Sequence, residues 1–272
     1  MRRPDPVLIA VVFLLGLCLA GCRSSGVSPK RGKIVKTESV APRYDVRDNA
    51  ATKRRMQAQE QLALAVERLR SGDQAQARKL AEEAVRRDPA SVDAHTVLAV
   101  VLDQSGDSAR AGAEYKRATE LAPGQGDVSN NYGAWLCANG YPAEALVWFD
   151  RSLADPNYRA TAAAQANAGG CSLQAGQVER AERDLREALK GDPGNAYALE
   201  SMARLRYRQE RYLEARAFSE RRLAAAPATA SVLQLAVQIE RGLGDKAAAA
   251  RYQQRLSKEF ADSSAVDPGK DR

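Results

Sequence analysis

Histidine occurs once in this 272-residue chain, aromatic residues make up only 6% of it, and cysteine appears four times. Each scarcity narrows the chemistry. A lone His95, with no cysteine or carboxylate cluster beside it, cannot build a zinc site, so no metal is expected. No H-E-x-x-H, G-x-S-x-G or glycine-rich phosphate loop occurs, which removes the metalloprotease, hydrolase and nucleotide-binding readings. Neither catalysis nor a cofactor is therefore expected. A basic block studded with aromatics is also missing. The 41 Lys and Arg and the 34 Asp and Glu leave a net charge of +7. They alternate along helical faces, which reads as solvated surface and argues against nucleic acid as a partner.

Long apolar runs are absent too. The longest, Val7 to Leu19, is too short for a mature membrane-spanning helix. It follows Met1-Arg2-Arg3 and ends in Leu19-Ala20-Gly21-Cys22, the order of a signal peptide closing in a lipobox. Residues 1–21 are expected to be the signal peptide, and Cys22 the lipidated N-terminus of the exported protein. An ordinary signal peptide with a chance cysteine is the other reading. Arg23 rather than Asp follows Cys22, which by analogy with lipoprotein sorting in enteric bacteria favours the outer membrane, with the body facing the periplasm. More than one acyl chain on Cys22 would anchor the protein stably. Residues 22–56, with Ser24-Ser25-Gly26, Pro29, Gly32 and Pro42 and no helical apolar period, are expected to be a flexible tether.

What is abundant is alanine, in a fixed register. Gly72-Asp73, Ala77, Ala84 and Asp88-Pro89 recur one period later as Gly106-Asp107, Ala111, Ala118 and Pro123. The pattern continues through Gly140 and Ala145, through Gly176, Ala181, Ala188 and Asp192-Pro193, through Glu210, Ala215 and Pro227, and ends with Gly244-Asp245 and Ala249. The run is similar to the tetratricopeptide repeat, a unit of two antiparallel helices. Glycine suits the bend, small alanine suits close approach of the two helices, and proline ends the second one. A single hairpin cannot bury its apolar face alone, so the units must stack. The expected fold is all-α, a right-handed superhelix of about six tetratricopeptide hairpins over residues 57–260. The repeats are placed at 57–89, 92–123, 126–156, 161–193, 196–227 and 230–260, with a polar tail at 261–272.

Repeats three and four carry more than the general pattern. Asn130-Asn131-Tyr132-Gly133-Ala134-Trp135-Leu136-Cys137 is followed by Asp155-Pro156-Asn157-Tyr158 and then by Asn167-Ala168-Gly169-Gly170-Cys171. This run resembles the type IV pilus biogenesis lipoprotein family, called PilF or PilW, whose members are six-repeat outer-membrane pilotins. The resemblance implies a partner, a PilQ-like outer-membrane secretin, whose insertion or multimerisation the protein would assist. It also implies a part in pilus assembly. A tetratricopeptide lipoprotein that scaffolds peptidoglycan enzymes of the cell envelope is the competing reading.

The family resemblance also fits a disulfide between Cys137 and Cys171. The pair stands one repeat apart, at near-equivalent places on the first helices of adjacent units, and an oxidising compartment would let it close. Two reduced, buried thiols are the alternative.

In a tetratricopeptide array the first helix of each unit lines the inner groove. Counting back from each turn places Leu62, Val66 and Leu69 of repeat one there. Repeat two contributes Asp93 and Asp103, and repeat five Tyr197, Glu200, Arg204, Tyr207 and Arg208. The groove should begin apolar, turn acidic and end aromatic and basic. Leu62, Val66 and Leu69 form a candidate partner-binding strip, and Tyr197 and Tyr207 are candidate anchors. The strip could instead be covered by a capping helix or by the tether. Trp135, Trp148 and Phe149 fall on core-facing spacing, and Asn131 and Asn167 on positions suited to structural hydrogen bonds.

Overall fold

The computed structural model of the chain describes residues 49–261. The expected signal peptide, Cys22, most of the expected tether and the tail beyond Ala261 lie outside the described residues. Within them are twelve helices and no strand: α1 (Ala50–Arg70), α2 (Gln74–Arg87), α3 (Val92–Gln104), α4 (Ser108–Leu121), α5 (Gly126–Ala138), α6 (Pro142–Ala154), α7 (Thr161–Gln174), α8 (Val178–Gly191), α9 (Ala196–Arg208), α10 (Tyr212–Ala225), α11 (Ala230–Gly242) and α12 (Lys246–Glu259). They pair in sequence as six antiparallel hairpins that stack in chain order, a tetratricopeptide superhelix.

Five of the six hairpin turns pass through a glycine with positive φ, at Gly72, Gly106, Gly140, Gly176 and Gly244. Every turn is closed by the same bond, from the amide after that residue to the carbonyl at the end of the preceding helix that lies one turn further back. Examples are Asp73 to Arg68 at 2.9 Å and Gln177 to Ser172 at 2.8 Å. In repeat five the turn residue is Glu210, with φ 57°. A side chain there costs about 1–2 kcal/mol relative to glycine. The other end of the first five units is set by proline, which pushes the residue before it out of the helical region: φ is −133° at Asp88 and −139° at Asp192.

The first helix starts earlier than the repeat period indicates. Asn49 caps α1 by accepting the Thr52 amide at 2.8 Å, so residues 50–56, expected to be tether, are helical. The residues from Ala50 to Met56 are good helix formers without an apolar period, and the cap supplies the start that periodicity does not mark.

The alanine columns form the seams between helices. Ala77, Ala111, Ala145, Ala181 and Ala215 are all fully buried. Two turns on, the buried position is Ala84, Ala118 and Ala188 in three repeats, but Ser152, Arg222 and Leu256 in the others. The middle of the array is the aromatic part of the core. Phe149 is fully buried, and Tyr132 stacks on Trp135 at 6.0 Å and meets the edge of Trp148 at 4.9 Å. Trp135 reaches across to α4, its ring carbon Cζ3 2.8 Å from where a Cβ would stand on Gly112. No described helix is long and apolar enough to cross a membrane.

Candidate functional site

The motif residues of repeats three and four meet at one joint. Asp155, just after α6, accepts the Gly126 amide at 2.8 Å and the Asn157 amide at 2.9 Å, tying the α6–α7 link back to the start of α5. Those two backbone bonds hold the Asp155 carboxyl below its ordinary pKa. Tyr158 is buried over Gly126, its Cβ 2.7 Å from where a glycine Cβ would stand. Asn167 of α7 donates to the Asn130 side chain of α5 at 3.1 Å. Cys137 and Cys171 form a disulfide between the same two helices, with Cα atoms 5.9 Å apart. The Asn, Asp-Pro-Asn-Tyr and Cys motifs are thus a clasp holding repeat four on repeat three. Asn167 finds its partner in Asn130 rather than in Asn131.

The next joint is built differently. The Arg206 side chain is 2% exposed, and its guanidinium donates to both oxygens of Glu182 at 2.8 and 2.9 Å while lying 3.1 Å from Glu214. One repeat later the charges are reversed: Arg216 of α10 pairs with buried Glu240 of α11 and, at 3.2 Å, with Asp245. These pairs hold successive repeats together, and nothing in the period of the sequence distinguishes them from solvated charges.

Near the other end of the array, His95 is buried. Its Nδ1 lies 2.6 Å from Glu114 and its Nε2 3.1 Å from the Pro89 carbonyl. The Glu114 hydrogen bond raises its pKa above 6.5, against the opposing effect of burial. Among the described residues no group of three or more His, Cys, Asp or Glu stands where it could hold a metal ion.

The candidate binding residues separate into three settings. Leu62, Val66 and Leu69 are half-buried on α1, beside the buried line of Ala58 and Ala65 and next to exposed Leu64. Tyr207 is half-buried and packs into the core formed by Ala203, Ala215, Leu235 and Ile239, its ring 5.8 Å from that of Tyr212. Tyr197 instead lines an open hollow of about 280 Å³ between α7 and α9, with Arg204, Arg208 and Glu200. Its ring lies over α7, 2.6 Å from where a Cβ would stand on Gly170, so glycine there makes room for it. Burial of the phenol, with Glu200 beside it, pushes the Tyr197 hydroxyl above its ordinary pKa. The α7 side of the hollow, Gly170, Leu173 and Gln174, is not marked by any motif read from the sequence. These residues precede Gly176 at the same offsets at which Arg204, Tyr207 and Arg208 precede Glu210. That shared register is the signal that could have found them.

Stacked hairpins with this turn bond and these alanine seams match the tetratricopeptide repeat family model over residues 62–126 and 172–230. The chain has the tetratricopeptide repeat fold. Its similarity to particular members goes further. It is 28% identical over 257 residues to the type IV pilus assembly protein PilF of Pseudomonas aeruginosa, covering 94% of this chain and 95% of that protein. Its fold matches the crystal structure of PilW, described as a widely conserved type IV pilus biogenesis factor. There the TM-score is 0.70 and the identity 29%, over 77% of this chain and 96% of that one. It also matches the structure of Pseudomonas aeruginosa PilF with a TM-score of 0.67 and 25% identity, over 79% and 96% of the two chains.

Proposed function

We propose that this chain is a lipid-anchored outer-membrane protein that binds the type IV pilus secretin and promotes its localisation or multimerisation, as a binding protein without catalytic activity. The observation that carries the reading is the reach of the similarity to PilF. It extends over 257 residues, more than the repeat array itself, whereas repeat periodicity alone would align only the hairpins. Lipidation at Cys22, after a signal peptide of residues 1–21, supplies the anchor. The repeats supply the partner surface, with Leu62, Val66 and Leu69 at its first end. An apolar stripe at helical spacing suits an extended or helical segment of a partner.

A deletion strain complemented with the wild-type chain, with Cys22→Ala or with Leu62→Glu/Leu69→Glu tests both halves. The wild-type chain should restore detergent-resistant secretin multimers and surface pili. Cys22→Ala should leave the protein out of the outer-membrane fraction and reduce the multimers. The double variant should be folded and membrane-bound yet lose secretin binding. Secretin multimers and pili that persist in the uncomplemented deletion strain would refute the function. A double variant that still binds would refute the strip.

A further inference from the structure

The charge balance of the hollow between α7 and α9 indicates what it holds. Glu200 is the one acidic residue lining it, and Glu200 is already shared. One carboxylate oxygen accepts from Arg204 at 3.0 Å, and the other lies 3.7 Å from the Arg222 guanidinium behind it. Arg222 is itself spent on the carbonyls of Ala226 and Pro227, at 3.1 and 3.2 Å. Arg208, one helical turn beyond Arg204, is exposed and has no carboxylate partner among the described residues. Of the charged residues lining the hollow, two are arginines and one is a carboxylate, and Arg208 is the positive charge left without an acidic partner there. Across from the arginines, α7 contributes Gly170, Leu173 and Gln174, with the Tyr197 ring lying over Gly170.

We infer that this hollow is a seat for an acidic segment of a partner protein, an extended peptide that places an Asp or Glu carboxylate on Arg204 and Arg208 and an adjacent apolar side chain against Tyr197. Guanidinium groups match a carboxylate in charge and in planar geometry. The ring and Leu173 give a neighbouring side chain something to bury, which a bare inorganic anion lacks. The hollow lies between the first helices of two successive hairpins, α7 and α9. The inference rests on reading the array as a protein-binding surface, and not on which protein is bound.

The test uses the full chain and three fluorescein-labelled peptides of one sequence, Gly-Ser-Leu-Asp-Leu-Asp-Leu-Gly-Ser, its Asn-for-Asp counterpart and its Lys-for-Asp counterpart, read by fluorescence anisotropy. The Asp peptide should bind about tenfold or more tighter than the Asn peptide, the scale of a lost charge-assisted contact. Arg208→Ala, at an exposed position, should remove most of that difference. Arg204→Glu/Arg208→Glu should reverse the preference toward the Lys peptide, a gain that misfolding cannot mimic. Equal binding of the Asp and Asn peptides would overturn the inference. So would an unchanged preference in Arg208→Ala, or displacement by inorganic phosphate at peptide-like concentrations, which would mark a simple anion site. Secretin multimers in the complemented strain report separately on the partner, so the seat and the pilotin role can fail independently.

Discussion

At the scale of single residues, the array is made of small side chains at seams and a few large or charged ones where a seam is widened. His95 is one of the latter. Its two ring nitrogens face a carboxylate and a carbonyl, so both act as donors only when the ring is protonated. Its pKa in the folded protein is raised above the ordinary 6.5 by Glu114. Stability from this ring is therefore fully present below about pH 6.5 and is lost as pH rises through the higher folded value. Urea midpoints measured across the neutral range, from mildly acidic to mildly alkaline pH, should fall in the wild-type chain relative to His95→Gln. Parallel pH profiles would show that the ring does not couple to folding.

At the scale of elements, the joint between α5 and α7 is closed covalently. Breaking the Cys137–Cys171 bond reopens a loop whose ends are 34 residues apart, which in the chain-entropy account costs about 3–4 kcal/mol. Reductant, or the Cys137→Ala/Cys171→Ala variant, should lower the unfolding free energy measured in urea by that amount. The helical circular dichroism should persist, because Asp155, Tyr158 and the Asn130–Asn167 bond still hold the two repeats. Collapse of the helical signal on reduction would show that the clasp depends on the disulfide alone.

At the scale of the whole molecule, the ion pairs at the later joints alternate in direction. Glu182 faces Arg206, and one repeat later Arg216 faces Glu240. A slip by one repeat would set like charges together in a buried place. Glu182→Arg alone should destabilise the array by roughly 3–5 kcal/mol, because it leaves Arg206 buried beside a second guanidinium. Exchanging both, as Glu182→Arg/Arg206→Glu, should recover part of the loss, since the new carboxylate would also stand beside Glu214, and a double-mutant cycle in urea measures the recovery. No recovery would show that the pair contributes through packing rather than charge.

The twelve-helix order was legible because its causes are local and repeated: a residue with positive φ at each turn, a proline or extended residue after each second helix, alanine at each seam. The signal failed where no period marked the feature. Asn49 starts α1 ahead of the first repeat by a capping bond, which apolar spacing does not reveal. Tyr197 and Tyr207 look alike in sequence, at opposite ends of one helix. Only Tyr197 opens onto the hollow, because Gly170 of the preceding repeat admits its ring, whereas Tyr207 meets Leu235 and Ile239 of the following one.

The linear order of residues by itself determined the hairpin, its length and the direction in which hairpins stack, since each depends on side chains within one turn or one repeat of each other. Which charges are buried, which aromatic is open and where positive charge is in surplus were decided only in the tertiary structure. Those properties belong to pairs such as Glu182 and Arg206, or Gly170 and Tyr197. Their members lie on different helices, and packing alone brings them within bonding distance.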